Sequence, residues 1–393
     1  METVCGGKSL SFKSPGTFGS RLKQRIWRKV SPTVLEKISM RAHRPFFTGS
    51  RYIIFAAFTA AVCMGVNGCA RQAKAPGVHP DIFWPNPPEV KRIAFVKAVS
   101  KPEDLNIRSG ILKRLVNYIV GKGAASIVFP YGVATDSKGR LYVVDTFQKR
   151  VHVFDAAGNQ YFFFPADRTM LASPVGIAID KDGIIYVTDS KKGLVYIFKD
   201  NGKKFLSAIG RGIFKRPTGI AVNPKTSELL VVDTLKSRIF RFDLPTRKLK
   251  GSFGAEGATE GRFHYPTNIF VTLTGDIIIS DALNFRVQVF SPEGRFLFTF
   301  GRMGDVPGTF SRPKGVAADS DGNIYVVDAL FDNIQVFDKQ GRLLMAFGKH
   351  GRGYGEFWLP TGIYIDSNDL IYVSDSSNRR VQIFRYLKEN MTQ

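Results

Sequence analysis

The chain has 393 residues, of which 56 are Lys or Arg and 33 are Asp or Glu, for a formal net charge of +23. An apolar fraction of 44% and a charged fraction of 23% exclude a wholly disordered chain. All three cysteines, Cys5, Cys63 and Cys69, fall in the first 69 residues, so the rest of the chain can hold no internal disulfide, thiolate metal site or thiol nucleophile.

Residues 1–69 form a basic leader with 11 basic and 2 acidic residues, net +9. Residues 70–393 carry the other 45 and 31, net +14, so the body is basic in its own right and is drawn to anionic surfaces. An uncharged, mostly apolar run at 52–66 follows Arg41, Arg44 and Arg51, the order of a secretory signal. The run is shorter than the roughly 20 residues of a spanning helix. It ends in Val66-Asn67-Gly68-Cys69, which resembles a bacterial lipobox with Asn67 as its one departure. The resemblance implies lipidation at Cys69. Because Ala70 rather than Asp follows, it also implies the outer membrane over the inner. An uncleaved membrane anchor is the alternative. Met40 opens Met-Arg-Ala-His-Arg-Pro, a conventional start, so translation is expected to begin there.

Residues 70–88 read as a Pro-rich tether. Residues 89–128 hold an alternating segment, Lys91-Arg-Ile-Ala-Phe-Val-Lys-Ala-Val, expected to be a strand. Ile111, Leu112, Leu115, Val116 and Ile119 share one face of an expected amphipathic helix.

From 129 to 388 one pattern recurs six times, opening at Pro130, Pro174, Pro217, Pro266, Pro313 and Pro360, with spacings of 44, 43, 49, 47 and 47 residues. An apolar residue stands three before each proline: Ile127, Leu171, Phe214, Phe263, Phe310 or Phe357. About fifteen residues after each proline an apolar run ends in Asp145, Asp189, Asp233, Asp281, Asp328 or Asp375. A further apolar run follows, as in Arg-Val-Gln-Val-Phe at 286–290. Turn signals such as Asp182-Gly183 and Asp321-Gly322 separate β-branched and aromatic stretches, giving four strands per repeat. In repeat four these are 268–272, 276–281, 287–290 and 295–300. Four strands every 43–49 residues is the period of propeller blades.

The Pro-x-Gly-Ile-Ala, Tyr-Val-x-Asp and Arg-Val-Gln-Val-Phe elements resemble the NHL repeat, which implies an all-β, six-bladed β-propeller of four-stranded antiparallel blades. The sixth repeat stops at Arg385-Tyr386-Leu387 without a fourth strand. An open blade would expose an edge, so the segment from Lys91 is expected to pair onto blade six and close the ring.

The six repeated aspartates read as structural acceptors for the turns that follow them, with Arg150, Arg238, Arg286 and Arg380, five residues on, as pairing partners. No HExxH, no Gly-x-Ser-x-Gly and no pair of histidines at a ligand spacing occurs, so no catalytic residue, metal ligand or cofactor is assigned. The loops before the first strand and between the second and third strands open on one face of a blade. They carry Tyr131, Phe147, Lys149, Lys191, Lys192, Lys236, Phe285, Lys314, Phe331 and Arg379, together with Asn268 on an innermost strand. Those eleven are the expected partner-binding residues. Acids such as Asp136, Asp180, Asp319 and Asp366 collect at the opposite face.

Together these readings describe a lipid-anchored envelope propeller that binds an anionic partner, such as an envelope protein, without catalysis. Some NHL propellers bind single-stranded RNA by stacking and phosphate contact, but export argues against nucleic acid. The alternative is a metal-dependent hydrolase or lyase of the lactonase or amidating-lyase type. Its site would lie in the central channel, with Asn268 as the nearest candidate.

Overall fold

A computed structural model of the chain describes residues 81–108 and 126–388. The leader with Cys69, the first part of the Pro-rich segment and the helix expected around 111–119 lie outside the described residues. No helix among the described residues is long and apolar enough to cross a membrane.

The repeats fold into six antiparallel sheets. Blade one consists of Pro130–Thr135, Leu141–Asp145, Arg150–Asp155 and Gln160–Phe164, and the next four blades repeat that order. In blade four the strands are Pro266–Val271, Ile277–Asp281, Arg286–Phe290 and Phe296–Phe300, within two residues of the expected bounds. The second strands are buried along nearly their whole length, as in Leu141–Asp145 and Ile324–Asp328. Each blade packs between two others, so both faces of its middle strands are covered. Such strands read as continuous apolar runs rather than as alternation. The fourth strands lie at the rim and do alternate, as Leu343–Phe347 shows.

Blade six closes as the sequence requires. Strand β2, Ile93–Val99, pairs antiparallel with Arg380–Tyr386, with Ile93 opposite Tyr386 and Val99 opposite Val381. A fifth strand, β1, Phe83–Trp84, then adds outside β2. Residues 83–84 fall in the segment read as tether, yet Trp84 packs its ring 5.5 Å from Phe347 and 5.8 Å from Phe384. The apolar payload of one tryptophan turns this part of a Pro-rich stretch into a strand.

The innermost strands neighbour one another in chain order and the sixth returns to the first. Their approach is close enough to dictate sequence. A Cβ at Gly362 would lie 2.0 Å from the Tyr131 carbonyl oxygen, and one at Gly176 would lie 2.3 Å from that of Thr218. Only glycine fits where two backbones meet in this way. Blade four departs from the pattern, with Asn268 at the equivalent position.

Between blades, buried side chains form separate apolar clusters. Ile93, Phe95, Val373 and Phe384 of blade six meet Tyr325, Val327 and Phe347 of blade five. Val99, Val381 and Ile383 meet Val133, Leu141 and Phe154 of blade one, sealing the seam between first and last blades.

Three blades are longer, and the extra residues have a visible anchor. The loops before Pro266, Pro313 and Pro360 are each clamped by a glutamine on the third strand of the following blade. Gln288 accepts from Gly261 N–H and donates to Arg262, Gln335 does so with Gly308 and Thr309, and Gln382 with Gly355 and Glu356. Blades one to three have His152, Tyr196 and Phe240 at that position and shorter entry loops.

Candidate functional site

The six repeated aspartates are all fully buried. Each carboxylate accepts backbone N–H bonds from the loop that enters its own blade. Val128 and Phe129 donate to Asp145, Lys215 and Arg216 to Asp233, and Trp358 to Asp375. The following turn is bound as well, by Gln148 N–H on Asp145 and by Lys191 and Lys192 N–H on Asp189. In blades four and six a side chain replaces the turn amides: Asn284 on Asp281 and Asn378 on Asp375. These bonds join the entry loop to the loop between strands two and three, which places both on one face.

The expected arginine partners divide. Arg286 pairs with Asp281 at 2.9 Å and Arg380 with Asp375 at 2.8 Å. Arg150 does not pair with Asp145; its guanidinium lies 4.1 Å from the Phe163 ring centroid, and His152 occupies the place beside the carboxylate. Arg238 reaches Ser252 rather than Asp233. The difference follows from the third strand, where His152 and Phe240 replace the glutamines of blades four and six.

His152 is a buried titratable group. Its Nδ1 lies 2.7 Å from the Tyr161 hydroxyl and its Nε2 lies 3.4 Å from Asp145 Oδ2. Burial pushes its pKa down, against the pull of the Asp145 charge, and Arg150 adds to the lowering. A histidine whose folded pKa lies below its unfolded value of about 6.5 contributes its full stability above that pH and loses it as the pH falls toward the lowered value. The urea midpoint is therefore expected to drop between pH 7.5 and pH 5, and His152→Gln is expected to flatten that slope. An unchanged slope in the variant would show that His152 does not set it.

On the face that carries both sets of loops, the second position after the buried aspartates holds Phe147, Lys191, Leu235, Leu283, Leu330 and Ser377. Four of these are large apolar side chains left in water: Phe147 at 72% exposure, Leu235 at 45%, Leu283 at 47% and Leu330 at 59%. Sequence reading singled out only Phe147. The leucines were legible as a repeated offset from the aspartates, but a lone leucine in a turn carries no signal until its exposure is known. Lys149, Lys191 and Arg379 are exposed on three consecutive blades and pair with no acid among the described residues. Lys192 and Lys236 are exposed too but bond to loop carbonyls, Lys192 to Thr169 and Met170 and Lys236 to Ile213. Phe331 is half-buried. Phe285 packs against the core between blades four and five. Tyr131, Asn268 and Lys314 are half-buried near the axis.

The axis holds a cavity of about 610 Å³. Tyr131, Thr218 and Thr267 line it toward the basic face, and Asp136, Asp180, Asp319 and Asp366 line it toward the other. Those four acids are engaged within the fold. Each accepts a hydrogen bond from a second-strand tyrosine: Tyr142, Tyr186, Tyr325 and Tyr372 respectively. Glu228, on the same side, pairs with Arg241 at 2.8 Å and Lys250 at 2.7 Å. Among the described residues no three His, Cys, Asp or Glu side chains gather in a way that would hold a metal ion. Asn268 stands on the cavity wall outside any such group.

The chain is a six-bladed β-propeller, and the comparisons with known proteins agree. A family model described as a 6-bladed beta-propeller matches residues 167–253 and 317–387. A stretch of 46 residues is 48% identical to the B-box type zinc finger protein ncl-1 of Caenorhabditis elegans, covering 12% of this chain and 5% of that protein. The likeness thus spans a small fraction of that relative. Among solved structures, an auxiliary nutrient binding protein from Bacteroides thetaiotaomicron superposes with a TM-score of 0.54 at 15% identity, over 67% of this chain and 71% of that one. A gluconolactonase from Xanthomonas campestris does so with a TM-score of 0.51 at 13% identity, over 66% and 87%. At such identities the likeness is one of fold alone, and the fold hosts binding proteins and enzymes alike.

Proposed function

We propose that this chain is an exported, membrane-anchored binding propeller that docks an acidic envelope protein on its basic loop face and performs no chemistry there. The observation that carries the reading is the composition of that face. Exposed leucines stand on blades three, four and five, and unpaired cations stand beside Phe147 on blades six, one and two. Apolar anchors among charges are the usual make-up of a protein-binding patch, and uncompensated charge steers an acidic partner toward it. The acids of the opposite side, by contrast, are taken up by tyrosines, arginine and lysine of the fold. The basic flank, the apolar run at 52–66 and Cys69 support the membrane-anchored part of the reading.

The test is retention on full-length protein purified at low salt, with the bound protein identified by cross-linking at the face. Lys149→Glu combined with Lys191→Glu and Arg379→Glu is expected to abolish retention. Asp182→Lys, on the far side, is expected to leave it intact. About 0.5 M salt, where the screening length is only a few Å, should release the partner. Retention that survives both the triple reversal and the salt would overturn the docking face. Stoichiometric metal persisting through dialysis would favour a hydrolase or lyase instead.

A further inference from the structure

One side of the channel mouth carries polar groups that the fold itself does not use. The residues that follow the six blade-opening prolines are Tyr131, Val175, Thr218, Thr267, Lys314 and Thr361. Those that follow the six buried aspartates are Thr146, Ser190, Thr234, Ala282, Ala329 and Ser376. Where both positions hold hydroxyls in blades three and six, they bond to each other: Thr218 to Thr234 and Thr361 to Ser376, both at 2.7 Å. Blades four and five have alanine at the second position. Thr267, only 6% exposed and on the cavity wall, is thereby left with a buried hydroxyl that has no hydrogen-bond partner. In the next blade Lys314 stands where its neighbours have threonine, opposite another alanine.

Arg312 and Arg216 both act on the Lys314 ammonium, and the same two guanidiniums act on the Tyr131 hydroxyl across the ring. Burial first, and then these arginines, lower the Lys314 pKa to about 8. No carboxylate is among the groups that act on it. Arg216 also donates to the Tyr265 hydroxyl, with its guanidinium 5.6 Å from that ring centroid. Two guanidiniums beside a half-buried ammonium repel it and are costly to hold without a counter-charge. Nothing on this rim supplies one from within the described residues.

We propose that this rim, formed by Lys314, Arg312, Arg216, Tyr131 and Thr267, binds a phosphate-class oxyanion at the mouth of the central channel. The inference rests on the docking reading above and names the group that would enter the channel beneath the docked face. A doubly charged, tetrahedral anion suits the site better than a single carboxylate. It balances more of the positive charge, offers several acceptors to the guanidinium donors, and can take the idle hydroxyl hydrogen bond of Thr267.

The probe is inorganic phosphate, titrated into the full-length chain against chloride at matched ionic strength and followed by calorimetry. The ¹³C signal of the reductively methylated lysines is followed in parallel. Phosphate is expected to bind the native chain and to return the Lys314 titration toward the ordinary lysine range. Lys314→Met and Thr267→Val should each weaken binding by about tenfold or more, the loss of one charge-assisted or buried hydrogen bond. Neither variant should lower the melting temperature without phosphate, because each removes a group that lacks a partner in the fold. Lys149→Met should bind phosphate as the native chain does. A soluble short-chain phosphatidic acid separates the sources of the anion. Binding at least about tenfold tighter than phosphate marks a lipid headgroup, and equal binding marks a free phosphate or phosphate ester. Equal responses to phosphate and chloride, or an undiminished response in Lys314→Met, would overturn the site. Phosphate binding that persists while partner retention fails would overturn the docking face and leave this site standing.

Discussion

A chain that begins after Ser100 is expected to lose its cooperative unfolding transition. The truncation removes β2 and β1, and with them Ile93, Phe95 and Val99, whose side chains are buried in the clusters on both flanks of blade six. At roughly 1.5–3 kcal/mol for each buried apolar side chain, the direct loss is about 5–9 kcal/mol. A whole domain is stable by only about 5–15 kcal/mol. The loss also uncovers the edge of Arg380–Tyr386, whose backbone groups would then be free to pair with other chains. Loss of the sigmoidal denaturant curve and rapid proteolysis throughout 126–388 are the expected results. A synthetic peptide spanning 81–100, added to the truncated chain, should restore protection. A truncated chain that melts within a few degrees of the full one would show that the ring does not depend on this closure.

The second large effect concerns Asp375. Its carboxylate is fully buried and accepts from Trp358 N–H at 2.9 Å, Asn378 Nδ2 at 2.9 Å, Arg380 Nε at 2.8 Å and Gln382 Nε2 at 3.1 Å. Burial raises its pKa above the ordinary carboxylate value in spite of these donors, so the group is held at some cost. Asp375→Ala would leave the Arg380 guanidinium, itself buried, without its counter-charge. Breaking a buried pair from one side costs about 3–5 kcal/mol. Arg380 also donates to Gly353 and Glu356, so the entry loop of blade six should loosen with it. Asp338→Ala is the control. Its partner Arg342 is largely exposed, and the denaturant midpoint should barely move. Equal midpoints for the two variants would mean that the repeated aspartates are dispensable to the fold.

The architecture was largely legible because a propeller repeats its local physics. Proline, apolar second strand, buried aspartate and apolar third strand recur at one period, and each is a short-range necessity of a blade. Even ring closure could be read, since the last repeat lacked a strand and an unmatched alternating segment stood upstream at 91–99. Other features were decided by side chains brought together from well-separated positions. Trp84 became part of a strand only because Phe347 and Phe384 leave room for its ring. Arg150 left Asp145 because His152 already stood beside it.

The candidate sites divide along the same line. Lys149, Lys191 and Arg379 could be placed on a face from loop position alone, because a blade's loops alternate between its two ends. That Leu235, Leu283 and Leu330 stay in water, whereas Phe285 turns inward, depended on what the neighbouring blade offers each side chain. The idle hydroxyl of Thr267 depended on Ala282, fifteen residues away in sequence and on the adjoining strand. Sequence by itself determined the blades, their number and the closing strand, since hydrophobic period and turn chemistry act locally. Tertiary structure alone decided which polar groups are spent within the fold and which remain for a ligand, since hydrogen-bond partnership is settled only when distant strands meet.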